Sequence, residues 1–383
     1  MRVFHVVRQF WPSLGGLEDV VGHLARRQMA KGWTVHIVTL NRLFSAPDTM
    51  LAAHELHDGL EITRLPYFGS SRYPIAAHIL GAVGGADLLH VHAIDFFFDF
   101  LALTRRLHGK PLIATTHGGF FHTGAHARLK KIWFDQITRR SMRAYDAVVA
   151  CSEADYDLFA PLAKDNLHHI DNGVDIEKFA GCSSQVPVKR LATIGRFSLN
   201  KRLDRLLDTM VCLVDLDRAW RLDIIGAPSD WSLDRLNTEI AARDLTQHVD
   251  VTIGASDAQV AACLAGASLF VSASEHEGFG LVVIEALSAG LMPIVHANEA
   301  FRALAKRCDL VHLADFNRPA DAATEIEQVF TVLNQNHADL RDTAQKSIGA
   351  FAWPAVADLY LDLYREVLEA HTGSPKSRLS PPT

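Results

Sequence analysis

Two successive sets of short apolar runs, each run followed by a stretch of helical spacing, restrict this chain to a parallel α/β architecture. The first set is Val3–Val7, Val35–Leu40, Glu61–Leu65, Leu88–His92, Leu112–Thr115 and Ala147–Ala150, with Asp19–Lys31 as the first crossover helix. The second is Arg190–Ile194, Arg221–Ile225, Val249–Ile253, Ala267–Ser272 and Pro293–Val295. Each set has the pattern of a doubly wound sheet, and 383 residues suffice for two domains with separate cores.

Between the sets lies loop sequence containing Gly181, two serines and Pro187. The expected division is a first domain over 1–172, a linker over 173–187 and a second domain over 188–352. Trp353-Pro354 then opens an amphipathic helix to about residue 370, with Leu359, Leu363 and Val367 along one face; the Pro/Ser-rich remainder, 371–383, reads as a disordered tail. Apolar residues make up 49% and charged residues 21%, as in a globular protein, and the net charge of −6 gives no case for nucleic-acid binding. Five scattered cysteines without a C-x-x-C pair indicate a reducing compartment, the cytoplasm, and no structural zinc. The N-terminal apolar run is too short for a signal-peptide core, and no run reaches the roughly 18 residues of a membrane span.

Chemistry concentrates in Ser274–Gly290, S-E-H-E-G-F-G-L-V-V-I-E-A-L-S-A-G. A strand precedes it and a helix begins near Leu281. Gly278 and Gly280, flanking Phe279, allow close backbone approach to a ligand, and the free N–H groups of a helix start favour a phosphate. Glu277 sits on the loop and Glu285 in the helix. After the strand Arg190–Ile194 comes Gly195-Arg196-Phe197-Ser198-Leu199-Asn200-Lys201, whose two cations suit a diphosphate. Glu285 suits ribose hydroxyls and Glu277 a sugar hydroxyl, the outline of a nucleotide-sugar site. A dehydrogenase is a poor competitor, because Val283 stands where the third glycine of G-x-G-x-x-G belongs.

The first set offers loops of its own. Gly15-Gly16 lies between the first strand and its helix, and Thr116-His117-Gly118 ends another strand at the sheet edge where α/β ligands sit. Ser152 fits a helix N-cap with Asp155 as reciprocal partner, a role compatible with a place in a cleft. His122 and His126 lack an obvious third ligand, so no metal site is expected. Residues 128–143 read as a helix with Arg128, Lys130, Lys131, Arg139, Arg140 and Arg143 against Asp135, and with Trp133, Phe134 and Ile137 turned to the core. Such a face suits anionic lipid headgroups and equally a solvated surface.

These motifs together resemble the retaining glycosyltransferases of family 4, with Glu277 and Glu285 as the E-x7-E pair. Gly15-Gly16, Thr116-His117-Gly118, Asn172-Gly173-Val174-Asp175, Gly195-Arg196 and Lys201 also stand where that family has motifs. The resemblance implies a GT-B fold, two Rossmann-like doubly wound domains facing each other across a cleft, with the terminal helix crossing back to the first domain. It implies metal-independent transfer, with His117, Arg196, Lys201, Glu277 and Ser152 as catalytic candidates. Gly15, Gly16, Arg196, Lys201, Glu277, Gly278, Phe279, Gly280 and Glu285 would bind the donor. His276 departs from the wider pattern. A narrower resemblance lies in His5-Val6-Val7-Arg8-Gln9-Phe10, Ser70-Ser71-Arg72-Tyr73-Pro74, Ile94-Asp95-Phe96-Phe97 and Gly118-Gly119-Phe120-Phe121-His122-Thr123. It points to the α-mannosyltransferases of acetan and xanthan assembly. It implies GDP-mannose as donor, a cellobiosyl-diphosphopolyprenol as acceptor, an α-1,3 linkage and work at the inner face of the cytoplasmic membrane, with the basic helix and Arg105-Arg106 against lipid. The residue patterns alone leave open another nucleotide sugar or acceptor, a nucleotide-sugar epimerase, or a non-catalytic binding protein.

Overall fold

A computed structural model describes residues 1–13, 15–71, 73–118, 134–162 and 165–373. The chain forms two compact units, Met1–Gly173 with Trp353–Thr383, and Val174–Ala352.

The first unit is built on β1 (Arg2–Val6), α1 (Gly16–Ala30), β2 (Thr34–Leu40), β3 (Arg42–Leu43), β4 (Ala46–Met50), β5 (His54–His57) and β6 (Leu60–Leu65). There follow β7 (Phe68–Ser70), β8 (Tyr73–Ile75), α2 (Ile79–Ala82), β9 (Leu88–His92), α3 (Phe96–Leu103), α4 (Arg105–His108) and β10 (Leu112–Thr115). A π-helical turn (Phe134–Thr138), α5 (Arg139–Met142), β11 (Ala147–Ala150), α6 (Glu153–Phe159) and β12 (Leu167–His169) complete the run. The main sheet has the order β12-β11-β10-β9-β1-β2-β6-β5. All neighbours are parallel except β5 on β6. The order reverses between β1 and β9, and that reversal is the switch point where the strands' C-terminal ends leave a crevice.

The C-terminal helix, Trp353–Thr372, belongs to this unit and buries Trp353, Val356, Tyr360 and Tyr364 against Val20 and Leu24 of α1 and Val3 of β1. It runs to Thr372, two residues past the expected end of the helix. Ser374 onward lies outside the described residues.

The second unit comprises β13 (Arg190–Phe197), a 3-10 turn (Leu199–Lys201), α7 (Leu203–Leu216), β14 (Arg221–Pro228), α8 (Leu233–Ala241), β15 (Val249–Ile253) and α9 (Asp257–Ala265). It continues through β16 (Leu269–Ser272), α10 (Leu281–Ala289), β17 (Met292–His296), α11 (Glu299–Ala305), β18 (His312–Ala314) and α12 (Pro319–Ser347). Its sheet is fully parallel in the order β15-β14-β13-β16-β17-β18, with the switch point between β13 and β16. Residues 174–187 carry no regular element, yet they pack into this unit. Phe179 is buried in its core, and the Ser183 amide donates to the Ala289 carbonyl. Both sheets bury continuous apolar strands, as helices on two faces require.

Candidate active site

At the switch point of the second unit, the sequence-predicted residues come together. The turn Leu199–Lys201 is stitched to the loop after β16: the Glu275 amide donates to the Asn200 carbonyl (3.0 Å). Asn200 Oδ1 accepts from the His276 amide (2.9 Å), and Asn200 Nδ2 donates to the His276 carbonyl (2.8 Å). His276, the departure from the family pattern, is thus held by its backbone while its side chain stays exposed. Arg202 and Arg205 both bond Glu275, closing the same seam. The outcome is an ion pair between Lys201 Nζ and Glu277 Oε1 at 2.7 Å, both side chains largely buried.

Two glycines are fixed by this geometry. Gly195 has φ +156°, and a Cβ there would stand 2.8 Å from Lys201 Cε, so the lysine stem lies over bare backbone. Gly280 has φ +87°, and a Cβ would press on Leu304 and Phe301 at about 3 Å. Gly280 is also the N-cap of α10; it has no side chain to satisfy the first N–H groups, and no acidic residue stands in the first turn. An uncapped helix start is ready for an anion. Gly278 is exposed, and Phe279 packs edge-on to Phe351. Arg196 is exposed, with no ion pair among the described residues.

Glu285 is half-buried on α10. Burial raises its carboxyl above the ordinary range, against the opposite pull of Lys178. Lys178 itself is tied to Asp257 at 2.8 Å. Nothing in the local sequence singles out Lys178; only the packing of residues 174–187 into this unit brings its charge near Glu285.

In the first unit, β10 delivers the Thr116-His117-Gly118 turn. His117 takes φ 52°, the left-handed region, which costs a non-glycine residue energy and needs external support. The support is Asp155. Its carboxylate accepts from the Thr116 hydroxyl, from the Gly118 amide (2.9 Å) and from the Cys151 thiol (3.4 Å). This corrects the sequence reading of Asp155 as reciprocal cap. Ser152 does cap α6, accepting from the Asp155 amide at 3.2 Å, but the Asp155 side chain turns to the His117 loop. Gly15 is the N-cap of α1 and Gly16 its first residue. Glu18 and Asp19 occupy that first turn, and Glu18 also accepts from Ser13 at 2.9 Å, so its N–H groups already face negative charge.

Among the described residues one group has metal-ligand chemistry: one ring nitrogen from each of His5, His90 and His92 lies within 4.8 Å of the other two. All six nitrogens are occupied by hydrogen bonds to protein. No spacing motif announces this group; His122 and His126, the pair weighed from the sequence, lie outside the described residues.

The basic segment is partly described. Arg128, Lys130, Lys131 and Trp133 lie outside the described residues; Arg140 and Arg143 are exposed and Arg139 half-buried. Phe134 is buried as expected, but Ile137 is 38% exposed. The π turn over Phe134–Thr138 explains the difference, since its wider coil rotates each residue by less than an α-helix does and carries Ile137 off the core face. Arg105 is engaged structurally, pairing with Asp146 at 2.6 Å and donating to the Ala144 carbonyl, whereas Arg106, Leu103 and Leu107 are exposed. No described helix is long and apolar enough to cross a membrane.

Two doubly wound units, each opening loops at its own switch point, define the GT-B class of glycosyltransferases. A glycosyltransferase from Rickettsia africae superposes with a TM-score of 0.74 over 96% of this chain and 98% of that one, at 16% identity. The Glycosyltransferase Family 4 model matches residues 14–178, and the Glycosyl transferases group 1 model matches residues 183–346. Among curated relatives, the GDP-mannose:cellobiosyl-diphosphopolyprenol alpha-mannosyltransferase of Xanthomonas campestris is 43% identical over 99% of each chain. The enzyme of the same name from Komagataeibacter xylinus is 40% identical over 96% of this chain and 94% of its own. The chain belongs to glycosyltransferase family 4 and is an enzyme of that family.

Proposed function

We propose that this enzyme transfers mannose from GDP-mannose to a cellobiosyl-diphosphopolyprenol, forming an α-1,3 linkage with retention at the anomeric carbon, in assembly of an exopolysaccharide repeat. The observation that carries the reading is the 43% identity over 99% of both chains. In this reading Arg196, Lys201 and the uncapped start of α10 take the diphosphate. Glu277 holds both Lys201 and a hydroxyl of the sugar, and Glu285 takes the ribose hydroxyls. Gly278, Phe279 and Gly280 lie along the donor, and Gly15 and Gly16 allow it close backbone approach. His117 and Ser152 serve the reacting sugar from the first unit.

As the bond from mannose C1 to the diphosphate breaks, negative charge grows on the leaving oxygen. Fixed cations and N–H dipoles stabilise it there without reorganising, the role a metal ion plays elsewhere. The acceptor oxygen then bonds to C1 from the face the diphosphate leaves, and its proton passes to the departing phosphate. The acceptor's lipid tail stays in the bilayer, so the enzyme works peripherally at the inner face of the cytoplasmic membrane, where Arg128, Lys130, Lys131, Arg139, Arg140 and Arg143 meet anionic headgroups. The test supplies labelled GDP-mannose with cellobiosyl-diphosphopolyprenol and follows label into the organic phase. Incorporation from GDP-mannose and not from UDP-glucose is expected; the reverse would overturn the assignment.

A further inference from the structure

Behind His117 a run of buried hydrogen bonds crosses the first unit's switch point. His5 on β1 stands opposite His90 on β9 in register, and His92, two residues on, shares the face. From the loop inward, His117 Nε2 meets His92 Nδ1 at 2.9 Å, His92 Nε2 meets His5 Nδ1 at 2.8 Å, and His5 Nε2 meets Gln28 Oε1 at 2.7 Å. Gln28 Nε2 then donates to the Tyr364 hydroxyl at 3.1 Å, which lies 2.5 Å from His90 Nδ1. His90 Nε2 meets the Thr115 hydroxyl at 2.8 Å. His5, His90, His92 and Gln28 are essentially inaccessible to solvent.

Burial keeps the imidazoles neutral, lowering His5 to about 4 and His117 to about 3, and His90 and His92 well below the ordinary value. A neutral imidazole has one donor and one acceptor nitrogen. In a file of such rings, therefore, every bond must point the same way, and fixing the end fixes all of them. With Gln28 accepting, His5 donates to Gln28, His92 donates to His5 and His117 donates to His92. His117 Nδ1 is left with its lone pair, and it has no partner among the described residues.

We propose that Gln28, acting through His5 and His92, sets the tautomer of His117, so that His117 presents an acceptor Nδ1 to a hydroxyl of the bound sugar. Gln28, His5 and His92 are positioning residues; none touches substrate. A Gln28 amide turned the other way would reverse every bond and give His117 a donor Nδ1, so one buried side chain carries the choice. The link to the sugar rests on the proposed function of His117, whereas the tautomer does not.

The tautomer is read directly by long-range ¹H–¹⁵N NMR of the full chain labelled at histidine, with His117 assigned by its loss in His117→Gln. The wild type is expected to show a protonated Nε2 and a pyridine-type Nδ1. Gln28→Leu, which removes the terminal acceptor, should give a mixture of His117 tautomers and a kcat about ten-fold lower, the scale of one hydrogen bond, with the KM for GDP-mannose unchanged. Gln28→Glu, which keeps an acceptor of the same size, should retain the wild-type signature and recover most of kcat. A protonated Nδ1 in wild type or in Gln28→Glu, or an unchanged His117 signature in folded Gln28→Leu, overturns the proposal whatever the enzyme's activity. So does stoichiometric Zn²⁺ binding that shifts the His5, His90 and His92 resonances, which would make the group a cation site instead. Absence of mannose transfer with the expected signatures would count against the functional reading alone.

Discussion

Lys201 and Glu277 are 76 positions apart and form one ion pair. Lys201→Ala removes a cation from the proposed diphosphate site, and loss of one preorganised charge-stabilising group costs roughly 10²–10³ in rate. The expected result is a kcat lower by about that factor with the folded circular dichroism spectrum retained and a lower thermal midpoint, since Glu277 loses its partner in a largely buried pair; a loss under about five-fold in label transfer would remove Lys201 from the reaction. The sequence could show that both residues follow strands, hence share a sheet edge, because parallel strands advertise themselves as apolar runs. It could not show their contact, which depends on Asn200 stitching one loop to the other. Asp155 was legible only as a helix cap for the same reason: its partners Thr116 and Gly118 lie 39 and 37 positions away. The histidine file was legible only in part: His90 and His92 alternate onto one face of a strand, but only the pairing of β1 with β9 brings His5 to them.

Elements extend the reach of such residues. The turn after β10 holds His117 in a left-handed conformation because α6 brings Asp155 beneath it. Asp155→Ala would leave the buried Thr116 hydroxyl and Cys151 thiol, and the exposed Gly118 amide, without their acceptor, at a cost of about 3 kcal/mol. Urea unfolding should register that loss, and label transfer should fall because the turn is released; wild-type stability in the variant would show that the turn is self-supporting. The segment ending in α5 carries a different prediction. Changing Arg139, Arg140 and Arg143 to Ala should weaken flotation with anionic liposomes, at about 1 kcal/mol per basic residue near the surface. Undiminished binding would move membrane contact elsewhere. Helix phase was the least legible feature here, since a π turn shifts every later side chain without changing composition. The paired strands β3–β4 and β7–β8 were invisible for a related reason: they are mostly exposed and lack the alternating or continuous burial that marks a strand.

Across the molecule, the two sheets follow the same order of windings around their switch points, but they differ in what they bury there, and pH should expose the difference. The first unit encloses His5, His90 and His92 as neutral rings. Above about pH 6.5 both folded and unfolded chains leave them unprotonated, and their burial is fully tolerated. As pH falls below 6.5 the unfolded chain takes up protons that the folded chain refuses, until about 4 for His5 and well below the ordinary value for its neighbours. Stability therefore drops with falling pH, by about 1.4 kcal/mol per pH unit for each ring. Asp95 acts in the opposite sense. Burial raises its carboxyl to about 6 despite the Arg8 guanidinium at 3.0 Å, so between about 6 and 4 the folded state binds a proton that the unfolded state does not. One ring is offset by this carboxyl, leaving a net slope of roughly 3 kcal/mol per pH unit below 6. Against a typical stability of about 5–15 kcal/mol, that slope is enough to unfold the first unit well above the pH at which surface carboxylates titrate. Urea midpoints followed from pH 7.5 to 5 should be flat to about 6.5 and then fall steeply. His92→Leu should flatten the fall below pH 6 by about half, because a ring that cannot titrate in either state contributes no proton difference. A midpoint independent of pH over that range would mean that the buried file takes up protons in the folded state, and with charged rings the single direction of its hydrogen bonds could not hold.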